Sequence, residues 1–424
     1  MNKLKFMIFI TALLIFNAAK SQDLPSGSLV IVGGGLEPDN KSVYNQMIDL
    51  AGGAEKASFA VIPSASGVSV QSFVSFQKTL ISYGVKSENI HLISIAMVDD
   101  DSTTTVDEAT WKNNGNNAGL AGIVKGCSAV WFTGGDQLRT IKTLVNPDGS
   151  KTLVLQAVWD VFENGGVVAG SSAGAAIMSE AMIGGGNSIA ALTHGVIPFN
   201  MDEEVPEGDG LLLTKGLGFF PLGIVDQHFS QRARIGRLIT ALFHEKSRFN
   251  LGFGVDENTA LIYNGKQKIL KVAGASGVTI INTATATISY VQNLPKIENL
   301  NVSYLEDGDV YDFTTGKIIP SEGKKPTRGN EYYNIGNPGQ AGVFSSYSSD
   351  FKDLITKNLM DNKGAEKVNN LSFYKEDSGF MVTLVKTPES EGFYTDKPGG
   401  EDHFTVTNIL MNITPVQISI TPLK

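Results

Sequence analysis

Residues 165–180 read Gly-Gly-Val-Val-Ala-Gly-Ser-Ser-Ala-Gly-Ala-Ala-Ile-Met-Ser-Glu. The short apolar run at 167–169 predicts a buried strand, and 173–180 predicts the start of a helix. Between them lies Gly170-Ser171-Ser172-Ala173-Gly174, a Gly-x-Ser-x-Gly pentapeptide centred on Ser172. A strand that becomes a helix within five residues needs a sharp backbone reversal. Glycines two positions away on either side make room for it. A serine at the apex exposes its hydroxyl near the positive end of the helix. This stretch confines the chain to folds in which strands feed directly into helices, and it makes Ser172 the candidate nucleophile. Ser171 is its rival but has no glycines at that spacing.

The rest of the first half repeats the strand–helix theme. Apolar strands are expected at 29–32, 58–63, 90–95 and 129–132, with helical spacing at 43–51, 73–84 and 153–164. Alternation of this length implies parallel βαβ units, whose ligands gather beyond the carboxyl ends of the strands. The triple glycine at 33–35 does not fit Gly-x-Gly-x-x-Gly and no Walker lysine follows it, so a nucleotide site is not expected. Residues 99–117 are polar and acidic and read as a surface insertion, and 184–210 reads as loop-rich. A strand at 223–225 leads into Asp226-Gln227-His228 and a helix reaching about residue 243, while 252–255 leads into Asp256-Glu257. From 278 onward the apolar period becomes two, which predicts β structure, and 323–329 reads as an exposed loop or linker. The expected fold is therefore α/β, a doubly wound, mainly parallel sheet sandwiched by helices, followed by a β-rich C-terminal extension.

Charge and leader narrow the function. Lys3 and Lys5, an apolar run at 6–16 and small residues before Gln22 read as a secretory signal peptide over 1–21. Its loss would take the formal net charge from −9 to −12, since Lys3, Lys5 and Lys20 depart with it. An acidic exported protein, periplasmic or extracellular, is a poor nucleic-acid binder, and no later stretch is apolar enough to span a membrane. The lone Cys127 permits no internal disulfide.

A serine hydroxyl needs a base within hydrogen-bond reach, and the base needs an orienting acceptor. Of the five histidines, only His228 directly follows an expected buried strand among polar neighbours; Glu257 occupies the equivalent place after the next strand. The chain order serine, histidine, acid differs from that of an α/β-hydrolase, which would need His244 or His403 as base. The histidines show no metal-ligand spacing, and no cofactor is expected.

Several motifs in sequence resemble one family: Ala51-Gly52-Gly53, Val61-Ile-Pro-Ser-Ala-Ser66, Phe132-Thr-Gly-Gly-Asp-Gln137, the Ser172 pentapeptide, Asp226-Gln-His-Phe229 with Arg232, Arg234 and Arg237, Asp256-Glu-Asn-Thr-Ala260 and Tyr304-Leu-Glu-Asp-Gly-Asp309. Together they are similar to the cyanophycinases, S51 serine peptidases related to the Asp-specific dipeptidase and to class I glutamine amidotransferases. The resemblance implies a peptidase domain over 22–320 and leaves 321–424 as an extension of unknown role. It implies a Ser172, His228 and Glu257 triad, and an oxyanion hole from the N–H of Ala173 with one from Gly134 or Gly135. It further implies that Gln137, Asp226, Gln227, Arg232, Arg234 and Arg237 bind substrate, and that the protein is a homodimer. The implied reaction is hydrolysis of cyanophycin, a polyaspartate carrying arginine on its β-carboxyls, to β-Asp-Arg dipeptides. Such a polymer, rich in Asp and Arg, suits a site with both cations and acids. Two other readings stay open: a peptidase for short Asp-containing or isoaspartyl peptides, and a catalytically silent surface-binding protein.

Overall fold

The computed structural model describes residues 25–198, 208–335, 350–395, 402–419 and 421. The expected signal peptide and the acidic run 202–204 lie outside the described residues.

The first half winds as its periodicity requires. Strand β1 (Ser28–Val32) leads to helix α1 (Lys41–Leu50), β2 (Phe59–Ile62) to α2 (Ser69–Ser82), and β3 (Ile90–Leu92) to α3 (Ala118–Lys125). Strand β4 (Ala129–Phe132) is followed by α4 (Gln137–Leu144) and α5 (Leu153–Glu163), then by β5 (Val167–Ser171) and α6 (Ala173–Ala176). The five strands run parallel in the order β1-β5-β4-β2-β3. Alternate residues serve opposite faces. Val30, Val32, Val61 and Trp131 pack with Val43, Met47, Phe76 and Leu80 of α1 and α2, while Leu29, Ile31, Ile62 and Phe132 pack with Val124, Leu155 and Val158 of α3 and α5. Both faces are thus covered, as a parallel sheet demands.

Beyond α6, β6 (Ala181–Gly185) pairs with β7 (Leu212–Lys215), and α7 (Ser188–His194) lies between them in sequence. A second sheet opens with β8 (Ile224–Asp226), α8 (Ile235–His244) and β9 (Leu251–Val255), the two strands parallel. The chain then returns to the first sheet: β10 (Thr259–Asn264) lies antiparallel to β1, and β11 (Ile269–Gly274) pairs with β10. It crosses again for β12 (Gly277–Asn282), β13 (Thr287–Val291) and the long β14 (Leu294–Glu306). Strands β15 (Val310–Asp312) and β16 (Lys317–Ile319) complete the edge of the first sheet.

The C-terminal residues do not form a layer of their own. Strands β17 (Lys325–Pro326), β18 (Lys367–Lys375), β19 (Ser378–Val385), β20 (Glu391–Tyr394) and β21 (Phe404–Gln417) all belong to the second sheet, with α9 (Phe351–Ile355) packed on its core. The seam is β21 on β14, from Ile413 opposite Ile297 to Thr405 opposite Leu305. The limit at residue 320 falls between β16 of the first sheet and β17 of the second, and the strands after it join the sheet that already holds β8, β9, β12 and β14.

Three local expectations are corrected. The helix after Ser172 lasts one turn, because the carbonyls of Ile177, Met178 and Glu180 accept from Leu217, Phe220 and Gly216 of the returning chain. The acidic stretch at 99–117 is anchored: Asp100 and Glu108 are buried, and Asp100 Oδ2 accepts from the first N–H groups of α2 at Val70 and Gln71. The region 184–210, expected to be loop-rich, also holds the short helix α7. The side chain of Lys324, expected on an exposed linker, is fully buried against Asp309 at 2.8 Å, with Thr405 Oγ1 and the Phe404 carbonyl completing its shell.

Burial of a charge is tolerable only when it is paired, and removing one partner strands the other. Lys324→Ala should therefore cost about 3–5 kcal/mol, read as a lowered urea midpoint at unchanged slope. An unchanged midpoint would mean that Asp309 finds another partner or takes up a proton.

Candidate active site

The elbow forms as its glycines permit. Ser172 sits at φ 55° and ψ −110°, a backbone state that costs a non-glycine residue about 1–3 kcal/mol. A Cβ at Gly170 would come within 2.7 Å of the Gly174 carbonyl oxygen, and one at Gly174 within 2.4 Å of the Phe132 carbonyl oxygen. Both positions must therefore lack a side chain. The strain is held by the Ser172 N–H, which donates to Val32 at 3.0 Å, and by the Ser172 carbonyl, which accepts from Ala175 and Ala176.

His228 arrives from the other sheet. It follows β8, has φ 45°, and donates its N–H to the Gly33 carbonyl at 2.6 Å. Its Nε2 lies 2.8 Å from Ser172 Oγ, and its Nδ1 lies 2.5 Å from Glu257 Oε1. In the neutral ring, Nδ1–H donates to Glu257 and leaves Nε2 to accept the serine hydroxyl. Glu257 occupies the turn between β9 and β10. Its N–H donates to Gln231 Oε1 at 3.0 Å, and the next residue, Asn258 at φ 52°, donates its N–H to Gly34 at 2.8 Å. The structure thus brings Ser172, His228 and Glu257 into one hydrogen-bonded line.

The triple glycine after β1 is the part of this site that sequence reasoning missed. A Cβ on Gly34, which has φ +112°, would fall 2.2 Å from His228 Cε1. One on Gly35 would press on Glu257 Oε2 at 3.4 Å. Only bare backbone can floor the imidazole here. Three glycines at a strand's carboxyl end carry a signal of close approach, and the group that approaches Gly34 is the His228 imidazole.

His228 is largely buried, and burial is the main reason its pKa falls below the ordinary histidine value. The Glu257 hydrogen bond and charge oppose this fall, whereas the guanidinium groups of Arg232 and Arg234 add to it. The ring therefore stays neutral, and able to accept a proton, to a lower pH than a free histidine.

Of the remaining expected residues, Gly134 lies against the serine: a Cβ there would sit 3.3 Å from Ser172 Cβ. Gly135 has φ +134°, and Ala173, the first residue of α6, has no acceptor within its own helix for its N–H. Gln137 heads α4 and gives its amide protons to the carbonyls of Gly184 at 2.6 Å and Ile183 at 3.2 Å. Gln227 is buried, and its side-chain Oε1 has no hydrogen-bond partner among the described residues.

Among the expected substrate-binding residues, the acid and two of the three arginines have partners within the protein. Asp226 and Arg237 are buried and grip each other, Nε to Oδ2 at 2.8 Å and Nη2 to Oδ1 at 2.6 Å, while Arg237 Nη1 reaches the Gly186 carbonyl at 2.6 Å. Arg234 is also buried and donates to the Gln227 carbonyl at 2.7 Å. These charges are consumed in shaping the loop that carries His228. Arg232 alone of the three is exposed, and its N–H returns to the His228 carbonyl at 3.1 Å. Beside it opens a cavity of about 680 Å³, bounded by Ser188, His194, Asn293 and Lys375, with no described acidic residue in its lining.

An elbow serine, an imidazole and a carboxylate in one line at strand ends have the form of a serine-hydrolase site. The chain belongs to peptidase family S51, whose model matches residues 29–271. It is 33% identical over 199 residues to a cyanophycinase from Synechococcus elongatus and, with the same figures, to one from Thermosynechococcus vestitus, covering 45% of this chain and 55% of each relative. The match thus spans about half the length of these curated relatives. With a cyanophycinase from Geminocystis herdmanii the identity is 29% over 300 residues, 69% of this chain and 96% of the relative. A solved peptidase from an acI-B1 Actinobacterium superposes with a TM-score of 0.42 at 22% identity, over 61% of this chain and 92% of that one.

Gly34→Ala should push the imidazole off its floor and slow labelling of the protein by a serine-directed fluorophosphonate on the order of a hundredfold, with circular dichroism unchanged. Undiminished labelling would show that the ring does not need that contact. The His228 titration, followed by NMR, should have its midpoint below the ordinary value of about 6.5, and Arg232→Gln should raise it by removing a nearby cation. A downward move on that substitution would contradict a repulsion between Arg232 and the imidazolium.

Proposed function

We propose that this chain is an exported serine peptidase that hydrolyses cyanophycin to β-Asp-Arg dipeptides. The observation that carries the reading is the unbroken line from Ser172 Oγ through both nitrogens of His228 to Glu257. Ser172 attacks the scissile carbonyl while His228 Nε2 takes its proton. The imidazolium so formed is held by Glu257, and it then protonates the departing amine. Water repeats the sequence on the acyl-enzyme. The Ala173 N–H and an N–H of the Gly134-Gly135 turn bind the oxyanion, a role consistent with the closeness of Gly134 to Ser172.

The substrate reading is supported by what remains exposed. In a chain of formal net charge −9, the cavity beside the His228 loop carries two cations, Arg232 and Lys375. It suits a ligand rich in carboxylates. The relatives that bear the name cyanophycinase point to an Asp- and Arg-containing polymer. Export rests on residues 1–21, with their two early lysines and apolar run. No helix among the described residues is long and apolar enough to cross a membrane.

Incubation with cyanophycin followed by mass spectrometry should yield β-Asp-Arg without free arginine. Ser172→Ala should abolish turnover and fluorophosphonate labelling, whereas Ser171→Ala should keep both. An intact polymer alongside hydrolysed short Asp peptides would replace the polymer reading with that of a dipeptidase-like enzyme. Labelling that follows Ser171 would move the nucleophile by one residue.

A further inference from the structure

The residue before Glu257 is more deeply placed than Glu257 itself. Asp256 is fully buried, and its two carboxyl oxygens face different parts of the fold. Oδ1 accepts the N–H of Ser230, two residues past His228, at 2.9 Å. Oδ2 accepts from Ser276 Oγ at 2.9 Å and, at 3.4 Å, from the Gly277 N–H and the Tyr304 hydroxyl. One side chain thus ties the loop of the imidazole to the turn of its carboxylate, and anchors both on β12 and β14.

The anchor continues outward. The Tyr304 hydroxyl also lies 3.3 Å from Glu306 Oε1, and Gly277 is obligatory beside it, since a Cβ there would sit 2.4 Å from the phenol carbon Cζ. Glu306 is gripped by two groups of the C-terminal segment: Lys352 Nζ at 2.7 Å on Oε1, and the Phe404 N–H on Oε2. Three residues on, Asp309 receives Lys324 and Thr405 and accepts the Glu306 N–H as well. Asp256, Tyr304, Glu306 and Asp309 are all buried.

We propose that Asp256 is a positioning residue that sets the separation of His228 from Glu257, and that Tyr304 and Glu306 hold it against the C-terminal segment. The segment after residue 320 would then be part of the scaffold that aims the acid–base pair. The inference rests on the serine-peptidase reading, and it adds a role for residues that reading leaves unused. Asp256 does not touch the reacting atoms, so its effect must pass through the alignment of the Nδ1–Oε1 hydrogen bond.

That alignment has a signature. The Glu257 bond and charge raise the pKa of His228 against the lowering by burial and by Arg232 and Arg234. Loosening the bond should therefore move the His228 titration further down. Two variants test this. Asp256→Asn keeps an oxygen for Ser230 but cannot accept on its other atom, and Tyr304→Phe removes only the hydroxyl that stands between Asp256 and Glu306 and shares its one proton between them. In both, kcat should fall, roughly ten- to a hundredfold for Asp256→Asn and less for Tyr304→Phe. KM should stay within about twofold, and the acid limb of kcat should shift to lower pH. The NMR titration of His228, assigned by its loss in His228→Ala, should shift in the same direction without substrate. Should Asp256→Asn fail to fold, Tyr304→Phe carries the same readouts in a nearly isosteric protein. An unmoved His228 titration in a folded variant overturns the proposal, whether or not stability drops. Because the titration needs no turnover, a wild type that cleaves neither polymer nor short peptides would refute the proposed function while leaving this positioning test decisive.

Discussion

The site depends on one passage of chain, residues 256–258, where the backbone leaves the second sheet and joins the first. Val255 is still paired with Val278, and by Thr259 and Ala260 the chain is already held to Gly33 and Val32. Within three residues it must deliver an acid to the imidazole and keep two sheets in register. The backbone bonds from Asp256 to Gly277 and from Asn258 to Gly34 fix both ends of the turn. Ser172 follows β5 of the first sheet and His228 follows β8 of the second, so the distance between the hydroxyl and the imidazole is a distance between sheets. The shared core of Ile31, Phe132, Phe253, Val255 and Val278 sets that distance. Repacking such a core by even one methylene would be felt at the site.

Charge in this molecule divides into what is spent inside and what is left to meet a ligand. Asp226 with Arg237 and Asp309 with Lys324 are paired and largely removed from solvent. Their attraction is offset by desolvation, so they specify geometry more than they stabilise the fold. The first pair begins two residues before His228 and shapes its loop; the second locks the C-terminal segment onto the end of β14. Arg232 stays exposed beside the cavity. A motif containing three arginines therefore contributes one exposed cation and two structural ones.

The parts of the fold legible in the sequence were those governed by local pattern. The apolar runs at 29–32, 129–132 and 167–169 could be read as buried strands because a parallel strand buried on both faces has no polar alternation to hide it. Ser172, His228 and Glu257 could each be marked because each follows such a run. What could not be read depended on contacts remote in sequence. Lys324 and Asp100 look like solvated charges until Asp309, Thr405 and the first turn of α2 surround them. Asp226 and Arg237 are eleven residues apart, and their mutual pairing hangs on a loop with positive φ at His228 and Ala233, which delays α8 to Ile235. The glycines at 33–35 carried a signal that only the facing imidazole could explain.

The electrostatics of His228 join local sequence to tertiary depth. Burial disfavours the imidazolium, and Arg232 and Arg234 disfavour it further, while Glu257 favours it. The net direction is downward, so burial outweighs a short hydrogen bond to a carboxylate. This ordering follows from exposure: the Glu257 side chain is 38% exposed, and water screens its charge, while the ring itself is only 10% exposed. A carboxylate left at the surface can orient the ring without making it too weak a proton donor later in the cycle. Asp256, one residue earlier and fully buried, has its pKa raised mainly by that burial. The two adjacent acids of one turn are thus separated by depth: the inner one holds the backbone, and the outer one remains available to the imidazole.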